Sequence, residues 1–133
     1  MSTFDDKIAD TTMLNVLIIE DNDTDYLLMQ RYIGKLWPAS VCVRAATRAE
    51  VVAVLLLQWD LIITDYHLID IEGDELISTI SEKQSLTPCL ILSGSIDELR
   101  QIDLPANIFC RLEKGDYSGL MAALKGDWQA VRS

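Results

Sequence analysis

Four places in this 133-residue sequence set a chemically capable side chain at the end of an apolar run. Glu20 and Asp21 close "VLIIEDND", Asp65 closes "DLIITD", Ser93 follows the apolar residues of "LILSGS", and Lys114 ends the run in "RLEKG". Carboxylates crowded into one small cleft raise one another's pKa, and a hard divalent cation relieves that conflict. An all-oxygen ligand set suits Mg²⁺. A hydroxyl and an ammonium beside it would meet the oxygens of a phosphoryl group, and a carboxylate can be the nucleophile that accepts one. Metal, cation, hydroxyl and nucleophile together outline a phosphoryl-transfer site.

Each residue alone has an ordinary explanation. An Asp at a strand end is usually a turn or cap residue. "EDND" reads as a solvated helix start, where carboxylates favour the dipole. Ser93 would open a Ser-Gly turn and Lys114 would be a surface lysine. Their joint placement argues otherwise, because all of them fall at the ends of the first, third, fourth and fifth apolar runs.

Those runs predict strands at Asn15–Glu20, Val41–Ala45, Leu61–Asp65, Cys89–Ser93 and Ile108–Leu112. Most are continuously apolar, as in strands buried on both faces of a parallel sheet. Helical stripes lie between them. Tyr26, Met29, Ile33 and Leu36 form one, with Asp23 as its N-cap and Pro38 beyond its end. Leu76, Ile77 and Ile80 form a shorter one, and Ile96, Leu99 and Ile102 a weak one before Pro105. Tyr117, Leu120, Leu124, Trp128 and Val131 form the last. Strand alternating with helix five times predicts a doubly wound α/β domain, in which ligands bind outside the carboxyl ends of the strands.

The bulk properties exclude several classes. A net charge of −10 and a pI near 4.3 argue against direct nucleic-acid binding, which needs clustered Lys and Arg. "VVAVLLL" is far too short to span a bilayer. "MSTFDDKIADTT" lacks the basic and apolar regions of a signal peptide, so residues 1–13 read as a flexible leader and the chain as cytoplasmic. Cys42, Cys89 and Cys110 have no C-x-x-C spacing and read as small buried hydrophobes in a reducing compartment.

"VLIIEDND", "DLIITDYHLIDIEGDEL", "LILSGS" and "LEKGD" together resemble a response-regulator receiver domain of the single-domain kind, similar to the chemotaxis response regulator. The resemblance runs from about Leu14 through the last helix, giving a receiver domain over residues 14–133. It implies a flavodoxin-like (βα)5 fold with five parallel strands ordered 2-1-3-4-5. It implies Asp65 as phosphoacceptor, charged by a histidine kinase or a histidine phosphotransfer protein. It also implies Asp21 as a direct Mg²⁺ ligand, Glu20 acting largely through water, and the backbone carbonyl of His67 as a further ligand. Ser93 would be the switch hydroxyl and Lys114 the partner of the phosphoryl oxygens. The domain would catalyse only its own phosphorylation and dephosphorylation.

Three positions depart from the family. Leu68-Ile69 replaces the usual Met-Pro, which removes loop stiffness. Gly115 follows Lys114 where proline is usual. Arg111 stands where the family carries its switch aromatic, and a guanidinium prefers solvent or a carboxylate to burial. Phe109 is a candidate substitute for it, at a spacing other than the family's. The His67 side chain lies where the family tunes dephosphorylation, although an exposed imidazole with no such role is the plainer reading.

The resemblance therefore implies a single-domain response regulator that changes a protein–protein surface, binding a downstream target, dimerising on phosphorylation or passing the group on, or else a piece of a longer regulator. The alternative is a pseudo-receiver, an interaction module without phosphoryl switching. A flavin-binding domain is excluded because "EDNDTD" would repel the flavin phosphate. A haloacid-dehalogenase-type phosphatase is excluded because its nucleophile follows the first strand with a second Asp two residues on.

Overall fold

A computed structural model describes residues 13–128 of the chain. Five strands, β1 (Asn15–Ile19), β2 (Val41–Ala45), β3 (Leu61–Asp65), β4 (Cys89–Ser93) and β5 (Ile108–Glu113), form one sheet in the order β2-β1-β3-β4-β5. Every pairing is parallel, with Val16 beside Leu61, Ile62 beside Cys89 and Cys89 beside Ile108. The strands match the predicted runs, except that β1 stops at Ile19 and β5 continues to Glu113. Glu20 is just beyond β1, although its N–H still donates to the Ala45 carbonyl.

The central strands explain the continuous apolar runs. Every residue of β3 and β4 is buried, and alternate side chains feed opposite layers. Val16, Ile18, Leu61, Ile63, Leu90 and Leu92 pack with Met29, Ile33, Leu120, Leu124 and Trp128. Leu17, Ile19 and Ile62 point the other way, toward Val51, Leu55, Leu76 and Ile80. Full burial of each Leu or Ile contributes roughly 1.5–3 kcal/mol, so a one-residue slip of either central strand would be prohibitive.

Helix α1 (Asp23–Leu36) carries the first predicted stripe. Its N-cap is Asn22, not Asp23: the extended Asn22 backbone lets its side chain accept from the Asp25 N–H. Asp23 is instead the first helical residue, paired with Arg44. Helix α2 (Arg48–Val54) forms from the segment weighed above only as a membrane span, and opens with a capping box between Thr47 and Glu50. Helix α3 (Gly73–Lys83) buries Leu76, Ile77 and Ile80. Helix α4 (Ile96–Arg100) is only five residues long and buries Leu99 alone. Helix α5 (Tyr117–Ala122) continues as a π-helical turn, Ala123–Asp127, which keeps Leu120, Leu124 and Trp128 on the buried side. The predicted leader, save Met13, and Val131 lie outside the described residues.

Cys89 is fully buried, and burial pushes its thiol up to about 12. Cys42 and Cys110 are half-buried, and all three cysteines are free. Among the described residues no helix is long and apolar enough to cross a membrane.

Candidate functional site at the carboxyl ends of the strands

The order β2-β1-β3-β4-β5 makes β1 and β3 neighbours, so Glu20 and Asp21 meet Asp65. One carboxylate oxygen from each of the three lies within 4.8 Å of the others. Glu20 is completely buried and Asp65 is 3% exposed, whereas Asp21 is half-buried. Lys114, brought in by β5 across β4, places Nζ 2.9 Å from Asp65 Oδ2, 3.2 Å from Glu20 Oε2 and 3.1 Å from Asp25 Oδ2. Burial alone would lower the lysine's pKa, but the hydrogen bonds to Asp65 and Glu20 more than reverse it, so its pKa is raised and it stays charged.

One ammonium does not neutralise this cluster. Burial first, and then the charge of Asp65, lift Glu20 from an ordinary 4.5 to about 7. Glu20 Oε2 accepts from the Asn22 N–H at 3.1 Å. Glu20 Oε1 makes no hydrogen bond among the described residues, although the ammonium lies 3.1 Å away at an unfavourable angle. A buried carboxylate oxygen left so is costly. A hard cation fits this donor set: three carboxylates converge and one buried oxygen lacks a hydrogen bond.

Main-chain donors hold the other acceptors in place. Asp65 Oδ1 accepts from the His67 N–H at 3.1 Å, and Asp21 Oδ2 accepts from the Ile69 N–H at 3.0 Å. The loop after β3 lacks proline but is tied down by side chains. The Arg48 N–H donates to both Asp70 carboxylate oxygens at 2.9 Å, and its guanidinium engages Glu75. The Tyr66 hydroxyl donates to Asp74 Oδ1 at 2.7 Å. Its ring lies against Gly73, where an added Cβ would fall 2.4 Å from ring carbon Cε1. Glycine at 73 is therefore required by the Tyr66 ring.

Ser93 is fully buried at the end of β4, one residue past the Leu92 that pairs with Asp65. Its hydroxyl donates to Glu98 Oε2 at 3.2 Å and accepts from the Ser95 N–H at 3.1 Å. The His67 imidazole also meets Glu98 Oε2, Nε2 lying 2.8 Å away. Arg111 is exposed, in line with a guanidinium's preference for solvent, and it donates to the Leu99 main-chain carbonyl at 2.7 Å. Phe109 packs into the layer with Met29 and Trp128, on the opposite face from Leu99, and so does not replace the missing aromatic. The Lys114–Gly115 peptide is trans and Gly115 has φ +91°. Proline, fixed near −65°, cannot adopt that angle, whereas glycine can.

The structure thus gathers Glu20, Asp21, Asp65 and Lys114 into one cleft and sets Ser93 and His67 on its β4 side, joined through Glu98. Two contacts were missed from sequence. Asp25 lies in the first turn of α1, directly after the Glu20-Asp21 end of β1, so a helix beginning there could have placed it near the cleft. Glu98 was hidden in "SIDE", which reads as an ordinary helix-capping pattern.

Residues 16–122 match the family model described as "Response regulator receiver domain". A search of curated protein sequences finds no match. Solved structures share the fold. The signal receiver domain of an HD domain-containing protein from Pseudomonas fluorescens Pf-5 has a TM-score of 0.75 at 18% identity, covering 90% of this chain and 98% of that one. The receiver domain of the sensor histidine kinase PA1611 from Pseudomonas aeruginosa PAO1, solved with a magnesium ion coordinated in its active-site cleft, has a TM-score of 0.73 at 19% identity, covering 91% and 98%. The phosphorylated cyanobacterial phytochrome response regulator RcpA has a TM-score of 0.67 at 20% identity, covering 91% and 90%.

Proposed function

This chain belongs to the response-regulator receiver family, and we propose that it is a phosphoacceptor switch whose acceptor is Asp65. The observation that carries this reading is the Lys114 ammonium bonded at once to Asp65 and Glu20, beside three carboxylates close enough to share one cation. A phosphoryl group carried on the histidine of a kinase or phosphotransfer protein would be attacked at phosphorus by an Asp65 oxygen. The new O–P bond forms as the N–P bond breaks, and the histidine keeps the electron pair of the bond it loses.

Lys114 would follow the transferred group, exchanging an aspartate oxygen for a phosphoryl oxygen, with Asp25 and Glu20 keeping the ammonium close. Glu20, Asp21, Asp65 and the backbone carbonyl of His67 would hold Mg²⁺, which supplies positive charge against the phosphoryl oxygens. Ser93 would donate its hydroxyl to the same group. The loop ties from Arg48 and Tyr66 keep Asp65 and its neighbours in position while charge accumulates. The output is a changed protein–protein surface read by a downstream target or a second copy of the chain.

A second reading has one feature in its favour. Arg111 caps α4 where the family's aromatic would respond, which suits a receiver-fold interaction module without phosphoryl switching. Intact-mass spectrometry after incubation with acetyl phosphate separates the two. The phosphoacceptor reading predicts one hydroxylamine-labile phosphoryl group, dependent on Mg²⁺ and lost in Asp65→Asn. No adduct, together with no Mg²⁺ binding, would leave the interaction module.

A further inference from the structure

We propose that Glu98 is an internal competitor for the Ser93 hydroxyl proton and so holds the β4 side of the site in its resting form. The inference rests on the phosphoacceptor reading above and adds a positioning residue to it.

A serine hydroxyl has a single proton to donate. Here it goes to Glu98 Oε2, while an oxygen lone pair receives the Ser95 N–H. Ser93 is completely buried, so its hydroxyl is out of contact with bulk solvent. A phosphoryl oxygen on Asp65 needs the same proton. It must therefore displace Glu98, and the two acceptors exclude each other.

The position of Glu98 is not that of a routine helix cap. Thr47 and Glu50 have the same spacing as Ser95 and Glu98, and they close a reciprocal capping box. At α4 the box does not form: Ser95 makes no side-chain cap bond, and its N–H turns to Ser93. Glu98 is drawn instead to Ser93 and His67. One carboxylate oxygen thus ties the loop after the acceptor strand to the end of β4.

Charge sets the direction of the switch. Phosphorylation replaces the single negative charge of the Asp65 carboxylate with nearly two on the phosphoryl group and carries that charge outward, where it repels a neighbouring carboxylate. Phosphorylation would draw the Ser93 proton inward and expel Glu98, releasing the first turn of α4. That helix is short, buries only Leu99, and is held at its other end by Arg111. Loss of the Glu98 contact would leave it held by Leu99 and by Arg111.

The test is the rate of phosphorylation by acetyl phosphate with Mg²⁺, followed by intact mass on wild type, Glu98→Ala, Ser93→Ala and the double variant. Losing the competitor should raise the rate of Glu98→Ala about fivefold, the scale of one ordinary hydrogen bond. In the Ser93→Ala background the same substitution should change nothing. Glu98→Gln, which keeps an acceptor but loses the charge, should fall between and serves if Glu98→Ala melts early. A Glu98→Ala rate equal to wild type would overturn the proposal. So would an equal acceleration without Ser93, which would mark a plain charge effect on the anionic donor. A wild type that takes no phosphoryl group and binds no Mg²⁺ would overturn the phosphoacceptor reading itself, and this inference with it.

Discussion

The two halves of the site are built differently. On the β1–β3 side, the reactive groups sit at or just past strand ends and are fixed by main-chain donors, as Asp65 is by the His67 N–H and Asp21 by the Ile69 N–H. On the β4–β5 side, most contacts run through the side chains of Glu98 and Arg111: Glu98 to Ser93 and His67, and Arg111 to the Leu99 carbonyl, with one main-chain donor, the Ser95 N–H, on Ser93. The first half has little freedom to move. The second is held by a few polar contacts that can be exchanged. A domain that must bind a phosphoryl group and report it benefits from this division, because bistable side-chain contacts convert a local charge into a displacement.

The sharpest way to break this contrast is to disturb the rigid half. Gly73→Ala forces a Cβ into the Tyr66 ring, whose hydroxyl is anchored on Asp74. It should cost about 2 kcal/mol of stability, the scale of overpacking a tight site, measured by urea denaturation. A loss of only a few tenths would mean that the loop after β3 yields easily and the contrast is false.

The next effect is electrostatic. Glu20 is raised from 4.5 unfolded to about 7 folded, by burial and then by Asp65. Its proton contributes stability fully below pH 4.5, and that contribution is lost as pH rises through 7. Metal-free Glu20→Gln should therefore be more stable than wild type at pH 8, by on the order of 2 kcal/mol, and should match it near pH 4. Mg²⁺ at pH 8 should close the gap by stabilising the wild type. Parallel stability curves from pH 4 to 8 would refute the burial argument.

Smaller still is the comparison of the two caps. Thr47→Ala removes a working capping box and should cost about 1 kcal/mol. Ser95→Ala, at the same place on a helix whose box is unmade, should cost only a few tenths of that. Equal costs would restore Glu98 to ordinary capping. Arg111→Ala should also change global stability little, by under about 1 kcal/mol for one part-buried hydrogen bond. Its effect should appear as faster amide hydrogen exchange within α4 and none within β3.

The same division explains what could be read from the sequence. The rigid half was legible because strand order and residue type fix it together: an apolar run ending in Asp65 or in Glu20-Asp21 puts a carboxylate at the carboxyl edge of the sheet. The β4–β5 half was not, since where Glu98 or Arg111 points is set by side-chain packing around a short helix, which strand order does not fix. "TRAE" and "SIDE" share a spacing and diverge only because Ser93 and His67 lie beside the second. Gly115 was recognised as a departure from proline, but only its positive φ gives the reason. Helix α2 was implied by the strand–helix alternation, but its residues were not marked out because "VVAVLLL" carries no polar stripe to set a period.

The most direct test of the central claim is to locate the phosphoryl group. Acetyl phosphate and Mg²⁺, followed by borohydride reduction and peptide sequencing by tandem mass spectrometry, converts a phosphorylated aspartate into a homoserine. The account predicts that residue at position 65 alone, and at no position when Mg²⁺ is chelated. Modification at Asp21 or Asp25, or at position 65 with equal yield after chelation, would contradict it.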